Sequence, residues 1–178
     1  MSDCKFIIYL DLDGVLTSND YIEYIHKRFI EYEGQDEFHY RNFMHQYCFQ
    51  YEGIECLNKL YDKFPYCIVL SSTRRFQFTI NEWNFIFKLN GLKPNILGRT
   101  SKFSFDEDKY TWREDEIYKY HYHESPMNAK ELPFIIIDDD IFDLMKYKDR
   151  LIHVKTEVGL TLKNYNEIID KLRLQGVE

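Results

Sequence analysis

The chain has 178 residues, 44% of them hydrophobic and 17% aromatic, with 15 Tyr and 14 Phe, and a formal net charge of −7. That is enough apolar material for one domain with a sizeable core, too little length for two independent domains, and too apolar a composition for intrinsic disorder. The acidic balance argues against a protein built to bind phosphate backbones without regard to sequence, which needs a basic surface.

The opening stretch MSDCKFIIYLDLDG has no basic region ahead of a long apolar segment, and no part of the chain approaches the ~20 apolar residues of a membrane span. We therefore expect a protein without a transmembrane segment, in the cytoplasm. Delivery elsewhere by a specialised export system would leave no address visible here. The cysteines Cys4, Cys48, Cys56 and Cys67 form no CxxC pair, as expected of free thiols in a reducing compartment.

Phe6 to Leu10 (FIIYL) is apolar throughout and does not alternate, the pattern of a strand buried on both faces in a parallel sheet. Residues 17–51 are too long for an ordinary strand-to-helix connection and carry aromatic-rich helical patterns (YIEYIHKRFIEY, then FHYRNFMHQYCF). They read as a small helical, cap-like insertion in a single domain spanning 1–178, with His39 and His45 as packing or rim residues. Ile54, Leu57, Leu60 and Tyr61 have helical spacing. Tyr66 to Leu70 (YCIVL) is a second buried strand, and Phe78, Trp83, Phe85, Ile86 and Leu89 mark a second helix.

A weak strand surrounds Ile96 and Leu97, and Arg99 to Trp112 reads as an irregular loop. Ile117 and Tyr120 suggest a further helix, while His121 to Glu124 (HYHE) reads as a surface loop and not as a zinc site. Phe134 to Ile137 (FIII) is the third buried strand, Leu151 to Val154 a fourth candidate, and a last helix runs from about Leu162 to Leu174 with Gly176 beyond it. Strands alternating with helices predict an α/β fold with a central parallel sheet.

Each buried strand ends in a polar cluster: Asp11 and Asp13; Ser71, Ser72 and Thr73 with Arg74; Asp138, Asp139 and Asp140. The C-terminal edge of an open α/β sheet is where sites form. Several carboxylates gathered there would repel one another unless a cation sits among them. Oxygen ligands without His or Cys suit Mg²⁺. The single Leu between Asp11 and Asp13 puts both acids on one face of an extended strand end. Turn-capping would explain either Asp alone, but not the matching Asp run on another strand.

These residues carry a resemblance. YLDLDGVLT resembles the first motif of the haloacid dehalogenase-like (HAD) phosphohydrolase superfamily, IVLSSTRR its second and FIIIDDDIFD its fourth. More narrowly, IVLSSTRR, Arg113 to Ile117 (RxxEI), IIIDDD and VGLT resemble a small-capped HAD subgroup that occurs in RNA-repair proteins. The resemblance implies a Rossmann-like three-layer α/β/α sandwich, with Asp11 as nucleophile and Asp13 as general acid and base. It further implies Ser72, with Ser71 second, on the phosphoryl oxygens. Asp139 and Asp138 would hold Mg²⁺ with Asp11 and the Asp13 carbonyl, Asp143 supporting that shell.

The third motif is usually a lysine before a helix. Here Arg113 is the best-placed cation, with Lys102 and Lys109 as alternatives, and Arg74 is a further candidate for the phosphate. An acid at the position of Asp13 implies phosphomonoester hydrolysis through an aspartyl-phosphate. A small insertion leaves the site open, which favours a macromolecular substrate: a phosphoprotein, phosphotyrosine included, without an extended nucleic-acid groove. The alternatives are a polynucleotide 3′-phosphatase, a nucleotide phosphatase, or a silent HAD fold used as a binding module. A silent fold is expected to have lost a site residue, and Asp11, Asp13, Ser72 and Asp139 are all present.

Overall fold

The computed structural model describes residues 4–33, 49–102, 112–125 and 129–178. Lys109 and the part of the proposed insertion that holds Phe38, His39, His45 and Cys48 lie outside the described residues.

The first strand, β1 (Phe6–Leu10), has no solvent exposure at any of its five positions. It lies at the centre of a five-stranded, wholly parallel sheet with β2 (Tyr66–Leu70), β3 (Ile96–Arg99), β4 (Phe134–Asp138) and β5 (Leu151–His153), in the order β3-β2-β1-β4-β5. The chain winds outward from β1 through β2 to β3, then crosses back to place β4 on the other side of β1. The order therefore reverses between β1 and β4, the topological switch point at which α/β sheets open a crevice.

Helix α1 (Asn19–Glu33) follows β1, with Ser18 Oγ accepting the Tyr21 N–H in its first turn. Tyr51, taken above as the end of the insertion, opens α2 (Tyr51–Lys63). Helix α3 (Ile80–Leu89) starts at a capping box in which Thr79 and Glu82 satisfy each other's backbone donors. Then come α4 (Arg113–Lys119) and α5 (Tyr165–Arg173), the latter preceded by a 3-10 turn at Leu162–Asn164.

Alternation along the strands sorts these helices into two outer layers. Phe6, Ile8 and Leu10 face the larger core with Leu57 and Leu60 of α2, Trp83 and Phe87 of α3, and Ile168 and Leu172 of α5. Ile7, Tyr9, Val69, Phe134 and Ile136 face a smaller core with Ile117 of α4, Tyr120 and Leu144. At ~1.5–3 kcal/mol per fully buried large apolar side chain, the two cores fix the strands firmly in register. This is the three-layer α/β/α arrangement expected from the sequence.

The HYHE segment departs from expectation. It continues α4 as a wide π turn (Tyr120–Glu124), and His121 is buried at 3% exposure. The Tyr9 hydroxyl lies 3.0 Å from His121 Nδ1, and burial pushes the imidazole pKa down to about 4. The aromatic ring of His121 packs 4.5 Å from Phe134, so the residue belongs to the smaller core and not to a surface loop. Among the described residues, no helix is long and apolar enough to cross a membrane.

Candidate active site

The register brings the predicted residues together. Leu10 pairs with Leu70 on one side and Ile137 on the other, so the next positions along these strands, Asp11, Ser71 and Asp138, stand abreast at the C-terminal edge. Parity places them on one face. Tyr9, Val69 and Ile136 all point into the smaller core, and Asp11, Ser71 and Asp138 lie two residues beyond them. Helix α4 packs on that face, and Arg113 at its first turn reaches the same point. Arg113 Nη1 donates to Asp138 Oδ2 in a short contact and lies 3.4 Å from Asp11 Oδ1.

Beyond Asp11 the chain turns sharply. The Leu12 carbonyl accepts from the N–H groups of Val15, Leu16 and Thr17, while Leu12 itself is buried in the larger core. Gly14 adopts φ +73°, and a Cβ at that position would come 2.1 Å from Asp139 Oδ2. A side chain there would be strained and would displace an acid of the site. Asp139 is held from the other side, with Thr156 Oγ1 donating to its Oδ2 at 2.7 Å and His153 Nε2 lying 3.1 Å from its carbonyl oxygen.

One carboxylate oxygen each from Asp11, Asp138 and Asp139 lie within 4.8 Å of one another. Asp11 is 3% exposed and Asp138 fully buried. Burial, reinforced by the Asp138 charge, raises the Asp11 carboxyl well above the usual carboxylate range, Arg113 acting in the opposite sense. Burial also raises Asp138 against the pull of Arg113. One guanidinium therefore does not offset the burial of both acids. A compact set of hard oxygen donors with this unmet demand for positive charge fits Mg²⁺.

Of the predicted phosphate contacts, Ser71 and not Ser72 shares the face of Asp11. The Ser71 hydroxyl is buried with no hydrogen-bond partner among the described residues. Ser72 Oγ instead accepts the Arg74 N–H, capping the 3-10 turn at Thr73–Phe76. Ser71 thus offers a buried, unpartnered donor in register with Asp11, whereas Ser72 accepts a capping bond and keeps its own O–H. Among the Arg113, Lys102 and Lys109 alternatives, Arg113 meets the acids. Lys102 is exposed, and among the described residues no ion pair joins it to the aspartates. Asp143 is 8% exposed, and its N–H lies 3.4 Å from Asp140 Oδ1. Asp140 also accepts the Phe142 N–H at 2.8 Å, so its carboxylate caps the following turn.

The two arginines after β2 have separate tasks. Arg74 Nη1 donates to Asp13 Oδ1 at 3.0 Å. Arg75, 4% exposed, donates through Nε to the Thr100 carbonyl, through Nη1 to the Ser72 carbonyl and through Nη2 to Glu116 at 2.7 Å. Sequence reasoning missed Thr100 and Thr156, and it gave Glu116, the acid of the RxxEI motif, no partner. Glu116 was detectable, because it lies three residues after Arg113 on the same face of α4. Nothing in the sequence signals Thr100 or Thr156.

The family described as "HAD domain in Swiss Army Knife RNA repair proteins" matches residues 7–165. Neither a curated protein nor a solved structure matches the chain.

Proposed function

The chain belongs to this family of HAD domains, and on that footing we propose that it is a Mg²⁺-dependent phosphomonoesterase that works through an aspartyl-phosphate. The convergence of Asp11, Asp138, Asp139 and Arg113 at the sheet's switch point carries the reading. Asp11, Asp138 and Asp139, with the Asp13 carbonyl, are the groups that would hold the ion. When bound, Mg²⁺ supplies charge neutralisation that lets a dianionic phosphate approach an ionised Asp11.

A carboxylate oxygen of Asp11 attacks phosphorus as the bond to the leaving oxygen breaks, and Asp13 gives its proton to that oxygen. Asp13 then takes a proton from water as the water oxygen attacks the phosphorus of the aspartyl-phosphate. Inorganic phosphate leaves and both carboxyl groups return to their starting states. Arg113 and Ser71 stabilise the equatorial oxygens, over which the charge of the transferring group is spread in both steps.

The substrate we propose is a terminal phosphate on a nucleic-acid strand, in keeping with the RNA-repair proteins of the family's description. Ser18, Tyr21, Tyr24 and Tyr51, with Asp20 and Glu52, line a cavity of about 500 Å³ whose aromatic side chains suit a stacking base. The test is hydrolysis of a 3′-phosphorylated oligoribonucleotide, a phosphotyrosine peptide and mononucleotides, with and without Mg²⁺. The oligonucleotide is expected to show the highest kcat/KM, with Asp11→Asn inactive, Arg113→Ala and Ser71→Ala impaired, and Lys102→Ala near wild type. Equal weak turnover of all three substrates overturns the substrate assignment. No Mg²⁺-dependent turnover above Asp11→Asn overturns the enzyme.

A further inference from the structure

We propose that Arg74 is a positioning residue, which aims Asp13 at the leaving group by holding one of its two carboxylate oxygens. This rests on the phosphatase reading above. Arg74 is 8% exposed at the end of β2, with its guanidinium 6.0 Å from the Trp83 ring and Nε 3.4 Å from Gln77 Oε1. Its backbone N–H is tied to Ser72 Oγ. The side chain is therefore held by Gln77 and by packing near Trp83 as it meets Asp13, while Nη2 is buried with no hydrogen-bond partner among the described residues.

The contact with Asp13 is one-sided. Nη1 bonds Oδ1 at 3.0 Å, and Thr17 Oγ1 lies 3.4 Å from the same oxygen. Among the described residues, no hydrogen bond falls on Asp13 Oδ2. The Asp13 side chain is 45% exposed against 9% for Arg74, so the acid faces the mouth and the base stands behind it. A two-pronged Arg–carboxylate pair would occupy both oxygens. This single-pronged one anchors Oδ1 and leaves Oδ2 as the oxygen that carries a proton to the leaving group and later takes one from water.

The arrangement assigns Arg74 a different task from Arg113. Arg113 meets the acids that surround the reacting phosphorus, whereas Arg74 acts through Asp13. A phosphate ligand and a positioning residue leave different kinetic signatures, because the contribution of a general acid grows as the leaving group becomes poorer, whereas that of a phosphate ligand does not.

The experiment measures kcat and KM for wild type, Arg74→Ala, Arg74→Lys, Asp13→Ala and the Arg74→Ala/Asp13→Ala double variant. The substrates run from dinitrophenyl phosphate, whose leaving group needs no proton, to an alkyl phosphate, whose leaving group does. Inorganic phosphate serves as a competitive probe of anion binding, and melting curves check folding. Arg74→Ala is expected to lose about 10²-fold in kcat/KM, which reports the steps up to leaving-group departure, on the alkyl ester and little on the activated ester, within the range a general acid contributes. Inhibition by phosphate should be unchanged, the double variant no worse than Asp13→Ala, and Arg74→Lys partly restored.

A uniform loss across leaving groups with weakened phosphate inhibition makes Arg74 a phosphate ligand and overturns the proposal, as does unchanged alkyl ester turnover. If Arg74→Ala does not fold, the leaving-group dependence of Arg74→Lys decides. A wild type without Mg²⁺-dependent turnover of either ester overturns the underlying reading instead, and is seen before any variant is compared.

Discussion

Replacing Glu116 by Ala leaves the Arg75 guanidinium buried without its anion. The Arg75 and Glu116 side chains are 5% and 8% exposed, and Nη2 meets Oε2 at 2.7 Å. Removing one partner of a buried ion pair costs about 3–5 kcal/mol, because the remaining charge is left desolvated. Arg75 keeps two acceptors, the Thr100 and Ser72 carbonyls at 2.8 Å each, so the lower end of that range, about 3 kcal/mol, is expected. The chain supplies its own control in Lys93 and Asp62, which pair at 2.6 Å with side chains 50% and 58% exposed. Solvent and salt screen that pair, and Lys93→Ala should cost under about 1 kcal/mol. Urea unfolding of the two variants, with slopes of about 2 kcal/mol per molar, separates them by roughly 1 M in midpoint. Equal midpoint shifts would refute the argument that burial, and not contact distance, sets the value of the Arg75 pair.

Gly14→Ala must put a side chain at φ +73° and 2.1 Å from Asp139 Oδ2. It should cost about 1–2 kcal/mol in backbone strain and also abolish the rise in melting temperature expected when Mg²⁺ is added to the wild type, a readout independent of turnover. A Mg²⁺-dependent rise as large as in the wild type would show that Asp139 is not needed for the ion. His121 gives a pH dependence. Its folded pKa of about 4 lies below the ordinary 6.5, so between those values the unfolded chain binds a proton that the folded chain does not. Stability from this residue is complete above pH 6.5 and is lost as pH falls toward 4, by at most about 3 kcal/mol. In His121→Asn, which keeps an acceptor for the Tyr9 hydroxyl, the stability gap to wild type should shrink by that amount between pH 7 and pH 4. A gap independent of pH counts against a neutral, buried imidazole.

The strands were legible because apolar runs such as FIIYL and FIII have no other use for so much uninterrupted hydrophobicity, and the acids were legible because they end those runs. The choice between Ser71 and Ser72 was not. It depends on register and parity, and both are settled only when β1 and β2 pair as Leu10 with Leu70. Sequence alignment of motifs favoured Ser72, whereas the face shared by Val69 and Ser71 favours Ser71. His121 of HYHE misled for a related reason. Its polar surroundings read as exposed, as Tyr122, His123 and Glu124 are, but the Tyr9 hydroxyl supplies His121 a buried partner from a strand more than a hundred positions away. Local sequence does not encode such a partner.

The start of α4 explains how the strand ends that carry the acids are held rigid. Arg113 and Glu116 lie one turn apart on the face that packs against the smaller core, and each reaches a different strand end. Arg113 binds Asp138 at the end of β4 and approaches Asp11 after β1. Glu116 binds Arg75, whose other two arms hold the carbonyls of Ser72 after β2 and Thr100 after β3. Four neighbouring strand ends are thus tied to one helical turn by charge-assisted hydrogen bonds, which are short, directional and about twice as strong as neutral ones. Electrostatic catalysis needs its dipoles and charges in place before the reaction begins. In this chain the β1, β2 and β4 ends carry the acids and the hydroxyl to which the proposed reaction assigns its steps, β3 completes the brace, and the α4 turn holds them in place before any substrate arrives.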